Sequence, residues 1–394
     1  MHPNFRLLAT IALLLSAEYG AGAEPPEDQS VTKELGTVRS SIRADEEVVF
    51  YRTCGSYDEK HGTWRLPIHG IVYEPEEDSW RRGAVAVSVR KTLGLEADGV
   101  KSEFLDRRLR LFLVDNEGGK EIFVRIGDRA YAAGTSEANG HFQATLLLAD
   151  DDVKQLVETD KDGRWLPFEA VMPRSDERRF QGRVQLIEPA GLSIISDIDD
   201  TIKHSAVGDR KALLANTFLR KFQPVAGMPG LFGRSAEQGM AFHYVSGSPW
   251  QLYLPLAEFL EDEGFPKGSM HLKRFRLKVR SMATVLVSQE AHKLPAIEAI
   301  LAAYPQRRFI LVGDSGEQDP EIYAKVARKH AGQVVGLFIR NVTGEAGDGP
   351  RFTAVREGLG DVRFELFEEP ESLSEVVREI RSSGGQGSGP RAGR

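Results

Sequence analysis

At 394 residues the chain exceeds one typical domain, and with 41% hydrophobic and 28% charged residues it has the composition of a soluble globular protein rather than a membrane-embedded or fibrous one. The net charge of −7 argues against general nucleic-acid binding, which draws on a basic surface, and the single cysteine, Cys54, excludes an internal disulfide. Two domains, each with its own core, are expected.

The first 23 residues read as a signal peptide: Arg6, an apolar run from Leu7 to Leu15, then Ala21-Gly22-Ala23 as a cleavage site. That run is too short for a bilayer span, which needs about 20 residues, so the expectation is an exported protein, periplasmic or secreted. Residues 24–45, rich in Glu, Asp, Pro and Ser, are expected to form a disordered linker. From 46 to 188 the pattern is one of short β-runs: Val48 to Tyr51, Ile68 to Tyr73, Ala84 to Val89, Leu109 to Val114, Ile122 to Ile126 and His141 to Leu148. Asn139-Gly140 is a strong hairpin dipeptide before the last of them. An all-β, sandwich-like accessory domain fits this stretch.

After Pro189-Ala190-Gly191, read as a hinge, the rhythm changes to strand then helix. Leu192 to Ser196, Ala241 to Ser246, Phe309 to Gly313 and Val334 to Arg340 are short apolar strands, with helical segments at 249–263, 292–304 and 320–331. The alternation predicts an α/β Rossmann-like parallel sheet over 189–381, followed by a disordered tail at 382–394. Sites in such sheets lie beyond the carboxyl ends of the strands.

Four stretches at those ends carry chemistry. The first strand runs into Asp197-Ile198-Asp199-Asp200-Thr201, where residues two apart on an extended chain point the same way, so Asp197 and Asp199 can converge on one bound group. On its own this is either a solvated acidic turn or a site that takes a cation. The second strand ends in Ser246-Gly247-Ser248-Pro249, with Ser248 as a candidate N-cap and Pro249 at the first helical position, so the Ser246 hydroxyl and Gly247 N–H suit a phosphate. Lys293 lies at a helix start, against the dipole, where its ammonium can join a phosphate oxygen to a carboxylate. The third strand delivers Gly313-Asp314-Ser315-Gly316-Glu317-Gln318-Asp319-Pro320; Asp319 reads as a helix cap, whereas Asp314 has no such structural reason. With Asp197 and the Asp199 carbonyl, Asp314 completes an oxygen-rich Mg²⁺ site, supported by Asp319.

Taken in order, these stretches resemble the four motifs of the haloacid dehalogenase phosphohydrolase superfamily. Ser196 to Lys203, Tyr244 to Trp250 and Gly313 to Tyr323 are similar, more specifically, to the actin-patch-associated phosphatidate phosphatases, relatives of lipins. The resemblance is close over 190–345 and looser around Asn139-Gly140-His141-Phe142. It implies a two-step reaction in which Asp197 attacks phosphorus and Asp199 protonates the leaving oxygen, then activates water. It further implies Thr201, Ser246 and Gly247 on the phosphate, Lys293 on its charge, and Mg²⁺ held by Asp197, Asp199, Asp314 and Asp319. The order of motifs excludes a response regulator, and no Gly-x-x-x-x-Gly-Lys loop is present for a P-loop nucleotidase.

Lys273, Arg274, Arg276, Lys278 and Arg280 interleave with Phe275, Leu277 and Val279, which reads as a basic strand face for an anionic head group or membrane surface, or as a guarded sheet edge. Lys273 and Arg274 are the substrate candidates. The expected activity is a Mg²⁺-dependent phosphomonoesterase on phosphatidate or a related lipid phosphate, with peripheral membrane contact. A phosphatase for a soluble phosphomonoester or phosphoprotein and a non-catalytic phosphatidate-binding module are the alternatives.

Overall fold

A computed structural model describes residues 32–34, 36–75, 103–274 and 290–383. The signal segment, the predicted strand at Ala84 to Val89, most of the basic stripe beyond Arg274, and the last eleven residues lie outside the described residues.

The N-terminal half is built on one 11-stranded sheet. Its strands are β1 (Thr32–Glu34), β2 (Glu47–Phe50), β3 (Thr53–Asp58), β4 (Thr63–Pro75), β5 (Val114–Asn116), β6 (Glu121–Ile126), β7 (Arg129–Thr135), β8 (His141–Ala149), β9 (Glu158–Asp160), β10 (Gly163–Ala170) and β11 (Gln181–Ile187). The main path runs β1-β7-β6-β10-β11-β3-β4-β2, with β5 and β8 on β4 and β9 on β10. Pairing is antiparallel except between β11 and β3. The 13-residue β4 alternates strictly, burying Trp64, Leu66, Ile68, Gly70 and Val72 along one face. Asn139-Gly140 turns the chain from β7 into β8, but not as the hairpin its composition predicts, since β8 pairs with β4 and β7 with β6 and β1; Gly140 has φ +78°, and a Cβ there would lie 2.4 Å from the Val72 carbonyl oxygen.

Three expectations fail here for local reasons. Leu109 to Val114 is not a strand; Glu103–Arg110 forms helix α1, whose Leu105 and Leu109 meet Phe218 while Arg108 donates to the Thr217 and Arg220 carbonyls at 2.6 and 2.8 Å. Tertiary docking overrides a weak β-pattern. A second short helix, α2 (Asp150–Lys154), follows β8, so the half is β-rich rather than purely β. The stretch expected as a linker joins the fold where it is described: β1 pairs with β7, the Ser40 hydroxyl donates to the Phe123 carbonyl, and Ile42 enters the core.

The second half is a six-stranded, wholly parallel sheet in the order β14-β13-β12-β15-β16-β17. In chain order its elements are β12 (Gly191–Ser196), α3 (Arg210–Phe218), α4 (Met228–Glu237), β13 (Ala241–Pro249), α5 (Tyr253–Asp262), β14 (Ser269–Lys273), α6 (Glu290–Ala303), β15 (Arg307–Asp314), α7 (Asp319–Lys329), β16 (Val334–Arg340), α8 (Pro350–Arg356), β17 (Arg363–Phe367) and α9 (Leu373–Ser383). Neighbouring strand residues feed opposite cores. Ile194 and Ile310 pack with α4, α5 and α9, whereas Ile195 and Leu311 pack with α6, α7 and α8. The strand order reverses between β12 and β15, and the crevice at such a reversal is where doubly wound sheets place their sites.

The halves are joined through much more than a hinge. Arg307 holds the connection by donating to the Glu188, Ala190 and Leu192 carbonyls at 2.6–2.8 Å and to the Ser193 hydroxyl at 2.9 Å. Tyr51 and Cys54 pack into the cores of the parallel-sheet half, and the Tyr304 hydroxyl donates to the Gly55 carbonyl. Pro189 to Gly191 is therefore a pinned junction.

Candidate active site

Asp197 leaves β12 with its N–H bonded to the Val312 carbonyl at 2.9 Å, which fixes it beside the carboxyl end of β15. The chain then coils tightly: the Ile202 and Lys203 N–H groups both return to the Ile198 carbonyl, and Asp200 takes φ +54°. The Asp200 carboxylate anchors this left-handed turn by accepting the N–H groups of Ser205, Ala206 and Val207 at 2.7–2.8 Å, while its carbonyl accepts from Arg340. The residue to which sequence reasoning gave no chemistry is thus the keystone of the loop.

The turn sends Asp197 and Asp199 into separate networks, so the simple alternation expected of an extended chain does not hold. Asp199 faces Lys203, whose ammonium lies 2.8 Å away, and accepts from Ser205 at 2.7 Å, Ser246 at 3.0 Å and Ser248 at 2.7 Å. Burial pushes its carboxyl upward, but the Lys203 charge and these donors outweigh burial and hold it well below the usual carboxylate range. Lys203, Ser205 and Ser248 were not expected in the site. Ser248 is not a helix cap: β13 continues through Pro249, and its hydroxyl is spent on Asp199. Ser246 likewise donates to Asp199 while accepting the Ser248 N–H, with Gly247 between the two serines.

Asp197 is fully buried and lies 3.0 Å from the Lys293 ammonium. Lys293, on the first turn of α6 and itself fully buried, also reaches Glu317 at 3.1 Å and Asp319 at 2.5 Å. Burial alone would lower its pKa, yet Asp197, Asp319 and Glu317 hold it well above the ordinary lysine value. Asp314 ends β15 and accepts the Gly316 N–H at 2.7 Å. Asp319 is the first residue of α7, but Gln318 occupies the cap position and the Asp319 side chain turns to Lys293 and Tyr323 instead. Gly313 makes that approach possible, because a Cβ there would lie 2.4 Å from Asp319 Oδ2.

Asp197, Asp314, Glu317 and Asp319 offer carboxylate oxygens that all lie within 4.8 Å of one another. Glu317, missed in the sequence reading, joins this group through its carboxylate; its signal was its position between two acids already suspected. Negative charge exceeds what one lysine can offset. Burial, reinforced by Asp319 and Glu317, raises Asp197 and Asp314 well above the usual carboxylate value. Among the described residues, neither Asp197 oxygen, nor Asp314 Oδ2, nor the buried Thr201 hydroxyl has a hydrogen-bond partner. Buried oxygens without donors suit a hard cation and an incoming phosphate better than they suit a core.

Lys273 and Arg274 stand apart from this cluster. Lys273 ends β14, Arg274 follows it, and both line a cavity between the two halves, among whose walls none of the clustered acids occurs.

The strand reversal, the carboxylate turns at both flanking strands and the buried lysine between them define an α/β domain with a candidate active site. Residues 192–341 match the family model for the catalytic domain of phosphatidate phosphatase APP1. Phosphatidate phosphatase APP1 of Saccharomyces cerevisiae is 28% identical over 298 residues, 70% of this chain and 48% of that protein. An uncharacterised Schizosaccharomyces pombe protein is 30% identical over 169 residues, 42% of this chain and 27% of its own length. The chain is similar to APP1 through this domain, and it spans about half the length or less of these relatives.

Proposed function

We propose that the protein is a phosphomonoesterase of the haloacid dehalogenase type that releases orthophosphate from phosphatidate or a closely related lipid phosphate, with Asp197 as nucleophile. The observation that carries this reading is the Asp197 carboxylate: buried at the strand reversal, hydrogen-bonded to nothing among the described residues, and ion-paired with the Lys293 ammonium at 3.0 Å.

Asp197, Asp314, Glu317 and Asp319 fit Mg²⁺, since a hard cation takes oxygen ligands and several of theirs are unoccupied by donors. When bound, Mg²⁺ supplies positive charge to offset repulsion between carboxylate and phosphate. The chain's own groups do the rest. Asp197 forms the bond to phosphorus as the ester oxygen departs; Lys293 holds the nucleophile and neutralises charge on the phosphoryl oxygens; Thr201 offers its hydroxyl to that group. Asp199, held ionised by Lys203, is set to take a proton from the water that breaks the aspartyl-phosphate. The same carboxyl serves as acid for the departing oxygen only in a protonated form that its present partners oppose.

The test is phosphate release by the purified protein from phosphatidate in mixed micelles and from water-soluble esters, with and without Mg²⁺. Mg²⁺-dependent release with higher kcat/KM on phosphatidate is expected. Preference for the soluble esters sinks the lipid reading, and the absence of any release favours a binding module.

A further inference from the structure

The motif residues explain how a phosphate is held but not what selects the molecule carrying it. Beside the acidic cluster, a cavity of about 410 Å³ opens between the β-rich half and the edge strand β14, within the ~300–1,000 Å³ range of small-molecule sites. It adjoins the phosphate site through two links. Ser246, bonded to Asp199, pairs in register with Leu272 of the cavity wall, and His292 of the wall precedes Lys293 in α6. The β-rich half contributes Arg52, Thr53, His69 and Gln143 to the opposite wall.

The cavity's polarity indicates what it takes. None of the lysine and arginine side chains described in its wall is free: Arg52 is engaged by Glu261, Arg274 by the Gln143 amide oxygen at 2.9 Å and Glu137 at 3.6 Å, and Lys273 also has a partner. Burial lowers the imidazoles of His69 and His271, the latter to about 4, so at neutral pH they are uncharged donors or acceptors. A second phosphate dianion would find little uncommitted charge here. Ester carbonyls, which are uncharged acceptors, match such donors. Trp250, Met270, Leu272 and Ala296 supply apolar wall between them. Past Trp250 a second, apolar slot continues between Tyr51, Tyr73 and Tyr253 towards Leu254, which is 43% exposed.

We propose that this interdomain cavity binds the glyceryl diester portion of a diacyl phosphate substrate, with the aromatic slot beyond Trp250 receiving the first methylenes of an acyl chain. The β-rich half then determines specificity, while the parallel-sheet half performs the chemistry. This inference rests on the lipid-phosphate reading above.

Gln143→Trp, which fills the mouth from an exposed position, and Arg52→Met, which removes a donor but keeps the stem, test it in the full chain. Thermal melting serves as the folding control. Both should raise KM for phosphatidate in mixed micelles, so that the ratio of kcat/KM on phosphatidate to that on p-nitrophenyl phosphate falls by about tenfold or more. A ratio unchanged in both variants overturns the proposal, whether both activities drop together or neither does. Wild-type turnover of p-nitrophenyl phosphate without turnover of phosphatidate overturns it at its base, by removing the lipid reading.

Discussion

Two buried carboxylate networks lie side by side at the carboxyl ends of β13, β12 and β15, and they are completed in opposite ways. Around Asp199, hydroxyls from Ser205, Ser246 and Ser248 and the Lys203 ammonium meet both oxygens. Around Asp197 and Asp314, burial is at least as deep, yet among the described residues several oxygens lack hydrogen-bond partners, and Asp197, Glu317 and Asp319 all draw on one lysine. Satisfied buried groups belong to a preassembled scaffold; unsatisfied ones hold free energy that a ligand can release. The contrast separates what the protein has already positioned from what it leaves for a cation and a phosphate.

The contrast is tested most severely at the two aspartates. Asp197→Asn should cut phosphate release by at least ~10³-fold, because the amide keeps the shape but not the nucleophile. It should leave thermal stability level or raise it, since one charge leaves a repulsive cluster while Lys293 retains Glu317 and Asp319. Asp199→Asn should lower turnover by about 10²–10⁴-fold, more on poor leaving groups than on activated esters. It should also destabilise by roughly 3–5 kcal/mol, because Lys203 is left buried without its carboxylate. Measured by kcat and thermal melting together, equal stability changes in the two variants would erase the distinction between the networks.

A smaller effect is expected outside the cluster. Arg351 of α8 donates to the Ser315 and Glu317 carbonyls at 2.6 and 2.7 Å, so it fixes the loop that carries Asp314 and Glu317 without touching their carboxylates. Arg351→Ala should raise the Mg²⁺ concentration for half-maximal activity by about 10–100-fold and leave kcat at saturating Mg²⁺ close to wild type. An unchanged Mg²⁺ requirement would mean that the loop holds its shape unaided.

Much of this was legible in the sequence, for reasons of periodicity. The buried strands Leu192 to Ser196 and Phe309 to Gly313 are short apolar runs that could only pair in parallel, so Asp197 and Asp314 had to emerge at neighbouring strand ends. What was not legible depends on turns and on contacts distant in the chain. The left-handed Asp200 reversed the apparent partnership of Asp197 and Asp199, and no period reports such a turn. Glu317 joins the acids because Arg351, far along the chain, holds its carbonyl. Leu109 to Val114 was misread because the helix that replaces its first residues is stabilised by Phe218 and by carbonyls of the other half.

The subtlest difference between the networks is one of proton affinity, and Lys203 controls it. Lys203 is 2% exposed and touches both Asp199 and Ser205. Burial pushes the Asp199 carboxyl up, and the Lys203 charge is the largest influence opposing it. A carboxylate whose folded pKa is depressed adds stability above its unfolded value, about 3.9, and that stability is lost as pH falls through the folded value. Lys203→Met removes the opposing charge, together with the ammonium's contact with the Phe222 ring at 4.8 Å, while keeping an apolar stem, so burial should dominate and the Asp199 pKa should rise. Two consequences follow: the acid limb of kcat on an activated ester moves to higher pH, and, with the folded pKa now above the unfolded one, the ionised Asp199 costs stability that is recovered as pH falls, so the loss of stability in acid that Asp199 causes in the wild type disappears. Poor leaving groups, which need a proton from Asp199, should lose less activity than activated ones. A pH profile and an acid-unfolding curve that both superimpose on the wild type would show that the serine hydroxyls alone keep Asp199 ionised.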